Sequence, residues 1–174
     1  MVDKLISDIN KALDGECYFA ALVTALTLPD ICGKAEYPND ITSKRYKEWC
    51  KNYVVPHVKP ASPYGDDMPY LSEEVLYSLR NSLLHQGTPD IDIMDIKEAR
   101  CKVNKFVLLI TDKESVDGGT TKISYGPNFN INDREQRVSI RHICSILCRE
   151  GKKYYDNNRS KFHFINYRLV DQRN

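Results

Sequence analysis

Ser72-Glu73-Glu74-Val75-Leu76-Tyr77-Ser78-Leu79-Arg80-Asn81-Ser82-Leu83-Leu84-His85-Gln86-Gly87 reads as one helix with both of its ends written into it. Ser72 caps the start, Glu73 and Glu74 suit the positive N-terminal end, and Gly87 suits a left-handed stop. Pro89 reinforces that stop, because proline cannot continue a helix. Counted from Arg80 at about 100° per residue, Val75, Leu76, Leu79 and Leu83 fall in an arc of about 220° to 320°, the stripe to be buried. Asn81, Glu74, His85 and Ser78 lie opposite, within about 60° of one another, and Arg80 stands at the edge of that polar face.

Arg80, Asn81 and His85 carry the chemistry of this helix. Arginine stays protonated at any ordinary pH and matches phosphate geometry, while histidine trades a proton near neutrality. Together they supply what phosphodiester cleavage without metal requires. The plain alternative is electrostatic: a histidine in the last turn gains from the helix dipole, and Arg80 is simply solvated.

The run Leu79-Arg80-Asn81-Ser82-Leu83-Leu84-His85-Gln86-Gly87 resembles the signature of the HEPN superfamily, whose members share an arginine, usually a polar neighbour, four to six intervening residues and a histidine on a helix. The position of this helix after two earlier helical segments fits as well. The resemblance implies a mainly α protein, a HEPN-like helical bundle, often a homodimer in which two copies of the motif face a shared cleft. Many members are metal-independent endoribonucleases. Carried over to this chain, His85 acts as general base or acid around the ribose 2′-hydroxyl, Arg80 stabilises charge on the phosphoryl group, and Asn81 orients the histidine or the phosphate. Glu74 and Ser78 are supporting residues by helical geometry only. RNA or a nucleotide is the implied ligand, a neutralising protein is a further implied partner, and neither cofactor nor metal is expected. Some toxin members carry a modified tyrosine two residues after the histidine; here that position is Gly87, so regulation by that route is not expected. The resemblance covers roughly the first ninety residues.

The chain of 174 residues is long enough for its own core and is read as a single HEPN-like domain over 1–174. Its helical core is expected over about 3–87 and 137–156, with a small β-hairpin or sheet elaboration in the C-terminal half, over about 104–126 and 162–170. A net charge of +1 argues against wholesale coating of nucleic acid or membrane. The charge is uneven, however. From Asp133 to Asn174 ten Lys and Arg face five Asp and Glu. That basic segment either holds an RNA backbone or solvates a surface.

Six cysteines lie on apolar segments without a secretory signal, so reduced, buried thiols are expected. The first sixteen residues are too charged for a signal peptide, and the apolar run from Cys17 to Leu28 is too short to span a bilayer. A cytoplasmic protein without membrane partners is the expectation.

A first helical region starts near Asp3, bends near Gly15 and continues through Leu26, apolar nearly all round and therefore expected to be central. Pro29 begins or kinks the next turn, and 37–40 is a break. A second helix over 43–53 carries Tyr46, Trp49, Cys50 and Tyr53 at helical spacing, an aromatic stripe more suited to core than to base stacking. The loop over 56–69, with four prolines, is placed to close over the motif helix. Strands are expected over 106–111 and 122–125, joined by a turn at 115–120, with a short third strand over 162–170. Between them, residues 137–155 return to helix.

Rival chemistries are less well supported. His142, Cys144 and Cys148 are close in sequence, but no second ligand pair of zinc-finger spacing accompanies them. No cysteine is paired with a histidine or acid in a recognisable nucleophile order. Gly118-Gly119 lacks the lysine and the strand-to-helix setting of a phosphate loop. His57 and His163 fall in or near loops with no partner visible in the sequence. Two readings survive: a HEPN-type endoribonuclease, or a HEPN-like module that binds a nucleotide, nucleic acid or protein without cutting it. One catalytic histidine per chain requires both protomers, or the substrate, to complete acid and base.

Overall fold

Local sequence signals set most helix boundaries. The computed structural model of the chain describes residues 1–58, 69–89, 91, 96–98, 101–112, 119–127, 131–166, 170 and 172. Helix α1 (Val2–Asp14) buries Val2, Ile9 and Leu13, and Gly15 follows it. Glu16, with φ 59, turns the chain into α2 (Tyr18–Ala25). Pro29 sits in the first turn of α3 (Leu28–Glu36), where its missing N–H costs nothing. Helix α4 (Thr42–Trp49) follows the break at 37–40 and widens into a π turn over Cys50–Val54.

These helices gather around α6 (Ile140–Asn157), which packs on α1, α2 and α3. Ser139 caps α6, its Oγ accepting from His142 N at 3.4 Å. The continuous apolar character of α2 suggested a central position, yet Phe19 is 53% exposed, and α6 holds the centre instead. Only Ala21, Leu22 and Ala25 of α2 are buried, so its apolar character all round does not mean burial on every side. The aromatic stripe is core: Tyr46 and Trp49 are buried, and Trp49 stacks on Tyr53 with ring centroids 5.5 Å apart. Helices α3 and α4 approach so closely that Gly33 has no room for a side chain. A Cβ there would lie 2.7 Å from the carbonyl oxygen of Arg45.

The β elaboration is present but built differently from a hairpin. Strands β1 (Lys105–Leu109) and β2 (Gly119–Tyr125) do not pair; β3 (Ile131–Ser139) lies between them, parallel to β1 and antiparallel to β2. Residues 137–139, expected to begin a helix, end β3 instead, and α6 starts at Ile140. The polar composition of β3 hid it. Its buried members Arg134 and Gln136 replace the usual apolar alternation, and Arg134 donates to the carbonyls of Pro69 at 2.7 Å and Lys102 at 3.2 Å. The short strand expected over 162–170 is not found where it can be judged: Arg159–Phe162 is a 3-10 turn and 163–166 is irregular, while 167–169 lie outside the described residues. The turn expected at 115–120 lies mostly outside them too, as does most of the loop expected over 56–69, whose first two residues, Pro56 and His57, belong to a 3-10 turn.

Among the described residues no helix is long and apolar enough to cross a membrane. All six cysteines are free and five are buried; Cys17, expected inside, is exposed beside the turn at Gly15.

Candidate active site

The motif helix forms as its sequence dictates and then departs from α geometry at the functional position. Helix α5 (Glu73–Asn81) is capped by Ser72, whose Oγ accepts from Val75 N at 3.2 Å. Val75, Leu76, Leu79 and Leu83 are buried. Beyond Asn81 the helix widens into a π turn over Ser82–Gln86 and stops at Gly87, which is left-handed with φ 70. An α-helix would place residues 80 and 85 about 140° apart. The i→i+5 turn brings them onto one side, a use to which π turns are often put at functional sites.

Arg80 is the hub of the result. One guanidinium nitrogen, Nη1, donates to Asn81 Oδ1 at 3.0 Å and lies 3.3 Å from His85 Nε2. A guanidinium only donates, so in this contact Nε2 accepts and the ring proton resides on Nδ1. The Nε of Arg80 donates to Asp30 Oδ2 at 2.9 Å, an ion pair whose side chains are only 16% and 18% exposed. His85 itself is exposed. It is not packed among the leucines.

Asp30 was not anticipated from the sequence. Its signal was an acid in an otherwise apolar stretch, Leu26-Thr27-Leu28-Pro29-Asp30-Ile31-Cys32, at the first turn of a helix that Pro29 begins. Burial holds the Asp30 carboxyl above its ordinary value, outweighing Arg80 and Arg45 beside it. The second oxygen, Oδ1, is buried without a hydrogen-bond partner among the described residues, as are Arg45 Nε and the Tyr46 hydroxyl. Arg80 is thus anchored at one end by a largely buried carboxylate and presented at the other to an exposed imidazole.

Glu74 and Ser78, expected on the open polar face, are buried and belong to an adjoining cavity rather than to the Arg80 cluster. Lys47 Nζ lies 3.4 Å from Glu74 Oε1, and the Glu98 amide donates to Oε2 at 3.0 Å. The alignment with His85 assumed α geometry throughout, whereas the π turn carries His85 toward Arg80, and α4 and the segment at 96–98 cover Glu74 and Ser78.

Burial pushes the Cys144 and Cys148 thiols up to about 12 and raises Cys32 and Cys50 as well, which disfavours the thiolate at these four positions. His142 accepts no role with them either: its Nε2 lies 2.5 Å from the Tyr70 hydroxyl. Among the described residues, one ligand atom each from Glu73, Glu98 and Cys101 lie within 4.8 Å of one another, but all three have further partners. His57 Nε2 approaches the buried Glu150 at 3.6 Å.

The basic C-terminal segment is largely tied up within the fold. Arg141 donates to the carbonyls of Leu13 and Thr111, Lys152 pairs with Asp3 and Asp156, and Lys161 pairs with Glu36. Arg134 is buried. Much of the positive surplus read from the sequence therefore serves packing. In comparisons with known proteins, no family model, curated protein or solved structure matches the chain.

Proposed function

We propose that the chain is a metal-independent endoribonuclease of the HEPN type, with Arg80, Asn81 and His85 as its catalytic residues and two copies of the chain contributing to one cleft. One observation carries this reading: the guanidinium of Arg80 contacts His85 Nε2 at 3.3 Å on an exposed ridge while Asp30 fixes its other edge. A phosphodiester entering the ridge competes for Nη1, and its negative charge is what a fixed guanidinium is suited to hold. The displaced Nε2 then takes the proton of the ribose 2′-hydroxyl. The 2′-oxygen attacks phosphorus, the P–O5′ bond breaks, and the leaving oxygen takes a proton from the histidine of the second copy. The products are a 2′,3′-cyclic phosphate and a 5′-hydroxyl.

The test is incubation of purified protein with a mixed RNA pool across pH 6 to 8, with and without divalent cation. Cleavage is expected in both conditions and lost in His85→Ala with the fold intact. An RNA pool left whole by the wild-type protein overturns the reading.

The second reading, a HEPN-like module that binds without cutting, is favoured by the same ion pair. Asp30 already neutralises Arg80, as it would in a purely structural role. On that reading His85→Ala alters affinity for a nucleotide, RNA or protein ligand and no cleavage is seen with either protein.

A further inference from the structure

A polar cavity of about 240 Å3 adjoins the motif helix, lined by Ser43, Lys47, Glu74, Tyr77, Ser78 and Lys97. Two lysines and a single carboxylate, Glu74, are among its lining residues. That carboxylate is already occupied, one oxygen by Lys47 and the other by the Glu98 amide. Lys97 is exposed. The hydroxyls of Ser43 and Ser78 add two donors that rotate to suit a ligand. The balance of donors over acceptors suits an anion with several acceptor oxygens, and a phosphate group is the one that matches a mixed ammonium and hydroxyl lining. Tyr77 forms one wall, its half-buried ring edge-to-face with Tyr46 and its centroid 5.5 Å from Lys47 Nζ.

The cavity lies N-terminal to the motif on the same helix. Glu74, Ser78 and Asn81 follow one another at spacings of four and three along α5, and the π turn over Ser82–Gln86 then carries His85 off that ridge to Arg80. At about 1.5 Å of rise per residue, His85 is on the order of 10 Å beyond Ser78, a span of about three stacked nucleotides.

We infer that this cavity is a subsite for a backbone phosphate of single-stranded RNA, held by Lys47 and Lys97 a few nucleotides from the bond that His85 addresses. The inference rests on the nuclease reading for what happens at His85; retention of the strand does not.

The experiment uses an uncleavable 2′-O-methyl octanucleotide and fluorescence anisotropy on the full chain. Lys97→Gln weakens binding about fivefold, the Lys47→Gln/Lys97→Gln pair weakens it further, and the salt slope falls by about one for each lysine removed. Lys97→Arg restores binding. Lys122→Gln, an exposed lysine of β2, binds as the wild type does, and circular dichroism confirms that each variant is folded. In cleavage assays Lys97→Gln lowers the ratio of kcat/KM for an unmodified octaribonucleotide over a dinucleotide about tenfold. The subsite is overturned if Lys97→Gln binds like the wild type, if the wild type does not bind the octanucleotide, or if an all-glutamate peptide displaces it at equal concentration. Lysine-dependent binding by a protein that cuts no RNA sinks the nuclease reading and keeps the subsite. Cleavage with an unchanged substrate ratio does the reverse.

Discussion

Asp30 in the first turn of α3 and Arg80 at the end of the α-helical part of α5, just before the π turn, meet at 2.9 Å. The positive N-terminal end of α3 favours the acid it carries. The pair fixes the guanidinium that also contacts Asn81 and His85, so the exposed part of the site inherits its geometry from a contact fifty residues away in sequence.

A double-mutant cycle between Asp30→Ala and Arg80→Ala, read by urea unfolding, is expected to give a coupling energy of about 1–3 kcal/mol, because each single change leaves a largely buried charge without its partner. Simple additivity of the two losses would show that the pair is not an anchor.

Arg80→Lys should behave as a loss despite keeping the charge. An ammonium is a single point and cannot reach Asp30, Asn81 and His85 from one planar fork. RNA cleavage should fall by about 10²-fold or more, the effect of removing one fixed donor from a transition state. Near-normal turnover in the lysine variant would mean that charge alone suffices.

Gly33→Ala and Gly87→Ala separate two reasons for glycine. At Gly33 a methyl group would meet backbone, 2.7 Å from Arg45 O, and must push α3 and α4 apart, for a loss of about 1–3 kcal/mol. At Gly87 nothing lies within 4 Å of an added Cβ, but φ is +70, so the loss is about 1 kcal/mol. Chemical denaturation that ranks Gly87→Ala as the worse of the two would contradict the close helix approach.

His142 predicts a pH dependence. Burial, with Arg149 adding to it, holds its imidazole below the ordinary value of 6.5 in the folded chain, where Nε2 accepts from Tyr70. As pH falls through about 6.5 the unfolded ring takes a proton that the folded ring still refuses. The unfolded state then binds more protons, and stability declines towards acid. Urea midpoints measured from pH 7 down to 5 should fall in the wild type and flatten in His142→Asn. Parallel curves would remove His142 as the cause.

The segments that could be read from the sequence are those whose determinants are local. Ser72, the stripe from Val75 to Leu83, and Gly87 each act within a turn or two of where they stand, so the motif helix was legible down to its cap. The same holds for the break near Gly15 and for the start of α3 at Pro29. Strand β3 was not legible, because its buried face carries Arg134 and Gln136 in place of apolar residues, and Arg134 is held there by partners at Pro69, Lys102 and Asn104. The helix expected over 137–155 forms from Ile140 onward, and only 137–139 differ, because pairing with β1 and β2 holds them in β3.

The candidate site divides along that line. By itself the sequence determined that an arginine, an asparagine and a histidine stand near the end of one amphipathic helix, since periodicity and caps are properties of neighbouring residues. Only the tertiary structure decided that Asp30 anchors Arg80, that a π turn swings His85 into contact with it, and that Glu74 and Ser78 are covered by α4. Those outcomes depend on which surfaces meet when the helices pack, and a contact between residues fifty positions apart leaves no spacing in the chain from which to read it.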